Sequence, residues 1–258
     1  MAFDADLIAC AALVERADPE RFLATMAAPV AARRVLFPLY AMNVEVSRAP
    51  WVTAEAMIAE MRLQWWRDAL GEIAVGGTVR RHEVVTPLAA ALRPALAEVL
   101  DEVVAARRWD IYQDPFEDAG DFARHIERTS GTLLWVAAAS LGQADEEVVR
   151  DLGFAAGVAN WLRAVPELAA RGRIPLLDGT PEGIRGLARG GLMRLQRAQA
   201  RRDAVSPEAA PALLAAWQAG PVLARAESEP HRVAEGRLSS GPLAGRITLA
   251  LRTATGRW

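Results

Sequence analysis

The sequence has no lysine. All 30 of its Lys+Arg positions are arginine, set against 32 Asp+Glu in 258 residues. The formal charge of −2 excludes a chain built mainly to neutralise nucleic-acid phosphate, and no nucleic-acid partner is expected. Cysteine is nearly absent: Cys10 alone rules out an internal disulfide framework and any multi-cysteine metal site, and it suits a reducing compartment. His82, His125 and His231 lie far apart, with no H-E-x-x-H spacing. No G-x-S-x-G elbow appears. The glycines from Gly179 to Gly191 match neither a dinucleotide fingerprint nor a P-loop, and read as a bendable connection. Long apolar runs are missing too, since Leu133 to Leu141, broken by one serine, falls far short of the ~20 residues that span a bilayer. Met1 to Asp6 carries acids where an export signal carries basic residues, and Asp18-Pro19 interrupts the apolar stretch that follows. The expected location is cytoplasmic, with room for a peripheral place at the inner membrane.

What the chain does have is helix formers. Hydrophobic residues make up 52% and aromatics only 6%, and roughly a fifth of all positions are alanine. Apolar residues recur at three- and four-residue spacing, and strand-like alternation hardly appears. The expected fold is all-α, a single domain over residues 1–258, with helices near 4–16, 19–27, 30–48, 53–73, 86–107 (broken near Pro94), 118–141, 145–171, 181–203, 207–228 and 242–256. Pro29, Pro50, Gly76-Gly77, Gly142 and Gly172 punctuate these spans. The acids Asp114, Glu117, Asp118 and Asp121 stand just before a helix, where free N–H groups favour them, so they read as caps ahead of a cation site. Arg194, Arg197 and Arg201 form a cationic stripe along one helix. It reads as a solvated face, with anionic lipid or an acidic partner as the alternative.

Three segments say more. Leu36-Phe37-Pro38-Leu39-Tyr40-Ala41-Met42-Asn43-Val44-Glu45-Val46 precedes Glu60-Met61-Arg62-Leu63-Gln64-Trp65-Trp66-Arg67-Asp68-Ala69-Leu70. Gly157 to Leu168, with Asn160-Trp161-Leu162-Arg163, closes on Arg171-Gly172-Arg173-Ile174. In order and spacing these resemble the squalene/phytoene synthase family, as does His125 to Gly131, where Gly131 matches a family helix break. The resemblance covers roughly residues 20–230. It implies an isoprenoid-synthase-type helical bundle around a central cavity, in which two aspartate-rich helices hold Mg²⁺ against the diphosphates of two isoprenoid substrates. Carboxylates four apart share one helical face, and the metal neutralises the leaving diphosphate.

This sequence departs from that pattern at the acids. The first aspartate motif falls on Ser47, Arg48 and Trp51, and the second on Ala164 and Leu168. Glu45 lies about 200° around the helix from Ser47, which leaves Glu167 as the one carboxylate near the expected face. With N-V-E in the first motif and R-L-Q-W-W-R intact, the chain is similar to the noncatalytic branch that contains a mitochondrial assembly factor for respiratory complex I. The resemblance implies a catalytically degenerate protein that acts as a binding or assembly module, with a respiratory membrane complex as client. Two alternatives stand beside it. One is a prenyl transferase with an atypical Mg²⁺ site around Glu167, and the other a carrier of an isoprenoid or lipid ligand. In the favoured reading no residue is catalytic, none binds metal and no cofactor is required. The positions expected to face the cavity or a ligand are Asn43, Ser47, Arg62, Trp66, Arg67, Asn160, Arg163 and Glu167. Of the tryptophan pair only one is expected to reach the cavity, because neighbours on a helix diverge by about 100°. Arg62, Arg67 and Arg163 are expected to pair with Glu60, Asp68 or Glu167, with the binding of an anion as the alternative.

Overall fold

The computed structural model describes residues 4–112, 114–239 and 241–258. Among them no strand occurs, and the only extended pairing is the isolated bridge between Ala144 and Val205. Asp4 opens α1 (Ala5–Ala17) by accepting from the Leu7 amide at 2.8 Å. Asp18 does the same for α2 (Pro19–Ala27), whose first residue needs no amide partner. Pro29 starts α3 (Val30–Arg48), and a single 3₁₀ turn (Ala49–Trp51) leads on to α4 (Ala56–Val75). The span expected at 86–107 divides, as anticipated, ahead of Pro94 into α5 (Val85–Ala91) and α6 (Pro94–Ala106), followed by a 3₁₀ turn (Arg107–Asp110).

At 118–141 the chain runs as α7 (Ala119–Ile126), a π-turn (Glu127–Gly131) and α8 (Thr132–Leu141), so the Gly131 feature is a widened turn within continuous helix. Asp118 caps α7 by accepting from the Asp121 amide at 2.7 Å, and Asp121 accepts in turn from the Glu117 amide. The long α9 (Glu146–Ala170) follows its Asp145 cap. Residues 181–191 are not a connection but the first half of α10 (Pro181–Ala200), capped by Thr180. Gly191 there lets α12 close in, since a Cβ would stand 3.0 Å from Leu223.

The expected helix at 207–228 does not hold as one piece. It resolves into α11 (Ala210–Leu213), a 3₁₀ turn (Leu214–Ala216) and α12 (Ala219–Ser228). Pro221 lacks the amide that would join α12 to a helix before it. The short α13 (His231–Ala234), too brief to show periodicity, precedes α14 (Pro242–Thr255).

Two helices form the centre. α3 buries Leu36, Phe37, Leu39, Tyr40 and Met42, and α9 buries Leu152, Val158 and Leu162. Being apolar nearly all round, both must be surrounded by other helices. A small satellite cluster of Ala24, Leu214, Trp217 and Leu249 seats α14 on α2.

The arginine stripe on α10 is solvent-exposed at Arg197 and Arg201, as expected, but its guanidiniums are paired. Arg194 bonds Glu127 and Asp151, Arg197 bonds both oxygens of Asp151 at 2.7 and 3.0 Å, and Arg201 reaches Asp145 at 2.7 Å and Glu147 at 2.8 Å. The stripe is therefore a ladder that clamps α10 to the N-terminal half of α9. Cys10 is fully buried, and burial pushes its thiol up to about 12, which removes it from nucleophilic chemistry.

Candidate functional site: a charged cavity between two central helices

Where α3 and α9 face each other they leave a cavity of about 520 Å³. α3 contributes Asn43 and Ser47, which share one face, and Arg48 at the edge of it, and the 3₁₀ turn after it adds Trp51. From α9 come Asn160, Trp161, Ala164, Glu167 and Leu168. Arg107 and Asp110 close one side, and His125 and Thr129 another. A second lobe of about 430 Å³ shares Arg21, Asn43, Arg107 and Asn160 with the first and adds Glu20 and Arg163. A narrow branch leads off between Tyr40, Leu133, Leu134 and Ala156, with Arg21 and Ser130 also in its lining, but its volume is about 20 Å³, room for about one water.

Thus Asn43, Ser47, Asn160 and Glu167 line the main cavity and Arg163 the second lobe, whereas three expected residues do not come here. Arg62 and Trp66 line a separate depression of about 170 Å³ together with Glu45 and His82. Arg67 forms a forked pair with Asp101 of α6 at 2.8 and 2.9 Å. The cause is the rotation of α4, which turns Leu63, Trp66 and Leu70 into its neighbours and leaves Arg62 exposed. Trp66 is buried edge-on against Trp65, with Arg80 over the Trp65 ring, so neither indole reaches the cavity.

The expected ion-pair partners also change. Arg163 grips Glu20 of α2 at 2.6 and 2.8 Å, Glu167 holds Arg171 at 2.6 Å, and Glu60 takes Arg108 and the Tyr112 hydroxyl. Arg163→Ala is expected to lower stability by about 1 kcal/mol, because the Glu20 pair is forked yet partly open to water. Thermal melting of Arg163→Ala, Glu20→Ala and the double variant measures the coupling. Identical melting of the single variants and the parent would count against a structural role.

Several cavity residues escaped the sequence reading. His125 is 7% exposed and packed among Trp109, Phe116, Phe122 and Trp161, with ring centroids 4.3 to 5.6 Å apart in that group. Burial, aided by Arg107, drives its imidazole down to about 3, so it is neutral at physiological pH. Asp110 is buried as well. Desolvation raises its carboxyl above the usual range even though Arg107 stands 3.3 Å away. The i, i+4 spacing of His125 and Thr129 was the available signal that both share one face. Arg21, Arg107 and Asp110 gave none, because their approach is tertiary.

Arg173, matched in the family-like motif, is buried and donates to the carbonyls of Trp109, Asp110 and Tyr112, which fixes the turn beside the cavity. The buried Asn43 Oδ1 and Arg107 Nε find no hydrogen-bond partner among the described residues, so this wall can both accept from and donate to a polar ligand.

The donor set does not suit Mg²⁺. The facing positions present a hydroxyl, a guanidinium, an indole, a methyl and an isobutyl group, and the two nearby carboxylates, Glu167 and Asp110, are each engaged by an arginine. Among the described residues no group of three or more His, Cys, Asp or Glu is placed to hold a metal ion.

Comparison with solved structures gives the fold. A dehydrosqualene synthase superposes with a TM-score of 0.81 at 15% identity, covering 97% of this chain and 95% of that one. A squalene synthase from Alicyclobacillus acidocaldarius gives 0.59 at 16% identity, covering 97% and 94%. Among curated proteins, a homologue of NADH dehydrogenase (ubiquinone) complex I, assembly factor 6, from Drosophila melanogaster is 31% identical over 177 residues, 65% of this chain and 53% of that protein. The Homo sapiens assembly factor 6 is 24% identical over 169 residues, 64% of this chain and 51% of its own. The chain spans about half the length of the curated relatives it matches. The model of the squalene/phytoene synthase family matches residues 14–177, the stretch that supplies both walls of the cavity, and the chain belongs to that family.

Proposed function

We propose that this chain is a noncatalytic member of its family that serves as a binding or assembly module for a respiratory membrane complex. The observation that carries this reading is the face-to-face placement of Ser47, Arg48 and Trp51 opposite Ala164 and Leu168, the positions to which the family resemblance assigns metal-binding acids. A diphosphate would meet no bridging cation there, so its departure would lack electrostatic support. The narrow branch beside the cavity, about 20 Å³, adds no space for a long prenyl tail beyond the main cavity itself. Similarity to proteins named for complex I assembly supports that choice of client. The chain's own residues then have binding roles: Asn43 and Arg107 offer an unpaired acceptor and donor, and Glu20 and Glu167 hold Arg163 and Arg171 in place.

The test pairs two measurements on one preparation. Incubation with Mg²⁺ and farnesyl or geranylgeranyl diphosphate is expected to release no diphosphate above background, with metal-dependent binding no tighter than millimolar by calorimetry. Affinity capture from native membranes is expected to retain subunits of a respiratory complex, and deletion to lower NADH:quinone activity. Turnover, or tight metal-dependent binding, would overturn the noncatalytic reading. Unchanged respiratory activity after deletion would overturn the client.

A further inference from the structure

α14 turns apolar side chains outward. Leu243, Ile247 and Leu251, each four residues after the last, are 74%, 54% and 60% exposed, and Ala250 and Ala254 lie exposed along the same stripe. The opposite face holds the helix down. Leu249 enters the satellite cluster, and Gly245 lets the backbone rest on Trp217, since a Cβ would stand 3.0 Å from its ring. Beyond α14, the Trp258 ring is buried and its carbonyl accepts from Gln199 and Arg202, which ties the segment to α10. The stripe is therefore presented outward by a helix anchored on its other side.

The charge along this segment is of one sign. From Gly236 to Trp258 the chain carries Arg237, Arg246, Arg252 and Arg257 and no Asp or Glu, although acids outnumber bases over the whole sequence. Arg246 is exposed and, three residues after Leu243, flanks the apolar stripe, and Arg257 is exposed just past the end of the helix. An apolar stripe bordered by arginines matches the region where anionic headgroups meet acyl chains: guanidiniums stay level with phosphate while leucine and isoleucine side chains sink below it. A protein partner would need an apolar groove with an acidic border. A lipid surface supplies both features without further shape, and the stripe, one helix wide, is the footprint of a helix lying in the membrane plane.

We infer that α14 docks this protein on an anionic lipid surface, lying in the interfacial plane with Leu243, Ile247 and Leu251 inserted and Arg246 and Arg257 on the headgroups. No helix among the described residues is long and apolar enough to cross a membrane, so the contact is peripheral. The proposal is independent of any client, because it is read on lipid alone.

The full chain is mixed with vesicles of phosphatidylcholine, or of phosphatidylcholine with about a third phosphatidylglycerol, and bound protein is separated by flotation. Binding to the anionic vesicles is expected to exceed that to neutral ones by about tenfold, and to weaken as salt rises from about 0.1 to 0.5 M. The triple variant L243Q/I247Q/L251Q and the charge variant R246E/R257E are each expected to lose about tenfold in binding. All five side chains are exposed, so thermal melting should stay within a few degrees of the parent and separates lost docking from lost folding. Equal binding by the triple variant, or no preference for anionic vesicles, would overturn the proposal. So would a dimer of the parent that the triple variant abolishes, since the stripe would then be a protein interface.

Discussion

Gly153→Ala is expected to cost about 3 kcal/mol of stability, while Gly190→Ala, an identical change one helix away, is expected to gain about 0.5 to 1 kcal/mol. A Cβ at Gly153 would stand 2.8 Å from the Gly131 Cα and 3.1 Å from the Ser130 carbonyl oxygen, both backbone atoms of the π-turn. Backbone cannot rotate aside as a side chain can. α9 would have to slide away from the turn, stretching the 2.8 Å bond that Ser130 Oγ donates to the Gly153 carbonyl. At Gly190 nothing lies within 4 Å, so alanine there adds helix propensity and reduces the freedom of the unfolded chain at no steric cost. Urea unfolding of the two variants beside the parent gives the answer in opposite signs. A Gly153→Ala midpoint equal to the parent's would mean that α9 and the π-turn are not in this close contact.

The second large effect is on acid stability. Folded His125 takes a proton only near pH 3, whereas an unfolded histidine does so near its ordinary value of about 6.5. Between these values unfolding takes up a proton. The contribution is therefore fully present above about pH 6.5 and declines as pH falls toward 3, at about 1.4 kcal/mol per pH unit. By about pH 4.5 it amounts to a loss of about 3 kcal/mol relative to neutral pH. Asp110, with its carboxyl raised by burial, acts in the opposite direction from its ordinary value of 3.8 upward, so the parent's profile is the sum of the two. His125→Gln isolates the imidazole: whatever its stability at neutral pH, its profile between about pH 6.5 and 5 should be flatter than the parent's by about 1 kcal/mol per unit. Parallel profiles for the two proteins would show that His125 is not buried in its neutral form.

How far the sequence reached depended on the range of the interaction. The spans 19–27 and 30–48 coincide with α2 and α3 because Asp18-Pro19 and Pro29 act on their own backbones, whatever the rest of the chain does. Asn43 and Ser47, and Asn160 and Ala164, could be placed on shared faces from spacing of four alone. The rotation of α4 could not be read this way. Its apolar residues leave more than one face available for burial, and Asp101, which takes Arg67, lies 34 positions on. Arg163 finds Glu20 across a separation of 143, and the acids that capture the α10 arginines belong to α9 and the π-turn. The helical fold was legible, and so were the two inward faces of the cavity. Partners chosen by tertiary packing were not.

The nearly filled branch beside the cavity bears on how such a chain evolves. On the noncatalytic reading, regaining prenyl transfer calls for acids at the facing positions, and a tail running beyond the main cavity into the branch also needs space where Tyr40, Leu133 and Leu134 now pack. Acids introduced alone would place like charges near one another with no tail-bearing substrate to select for them. Space opened alone would remove buried side chains, each loss costing roughly 2 to 5 kcal/mol. For a substrate whose tail needs both changes, neither step alone confers the benefit, so on this reading the packing of Tyr40, Leu133 and Leu134 works as a ratchet against the return of such a substrate.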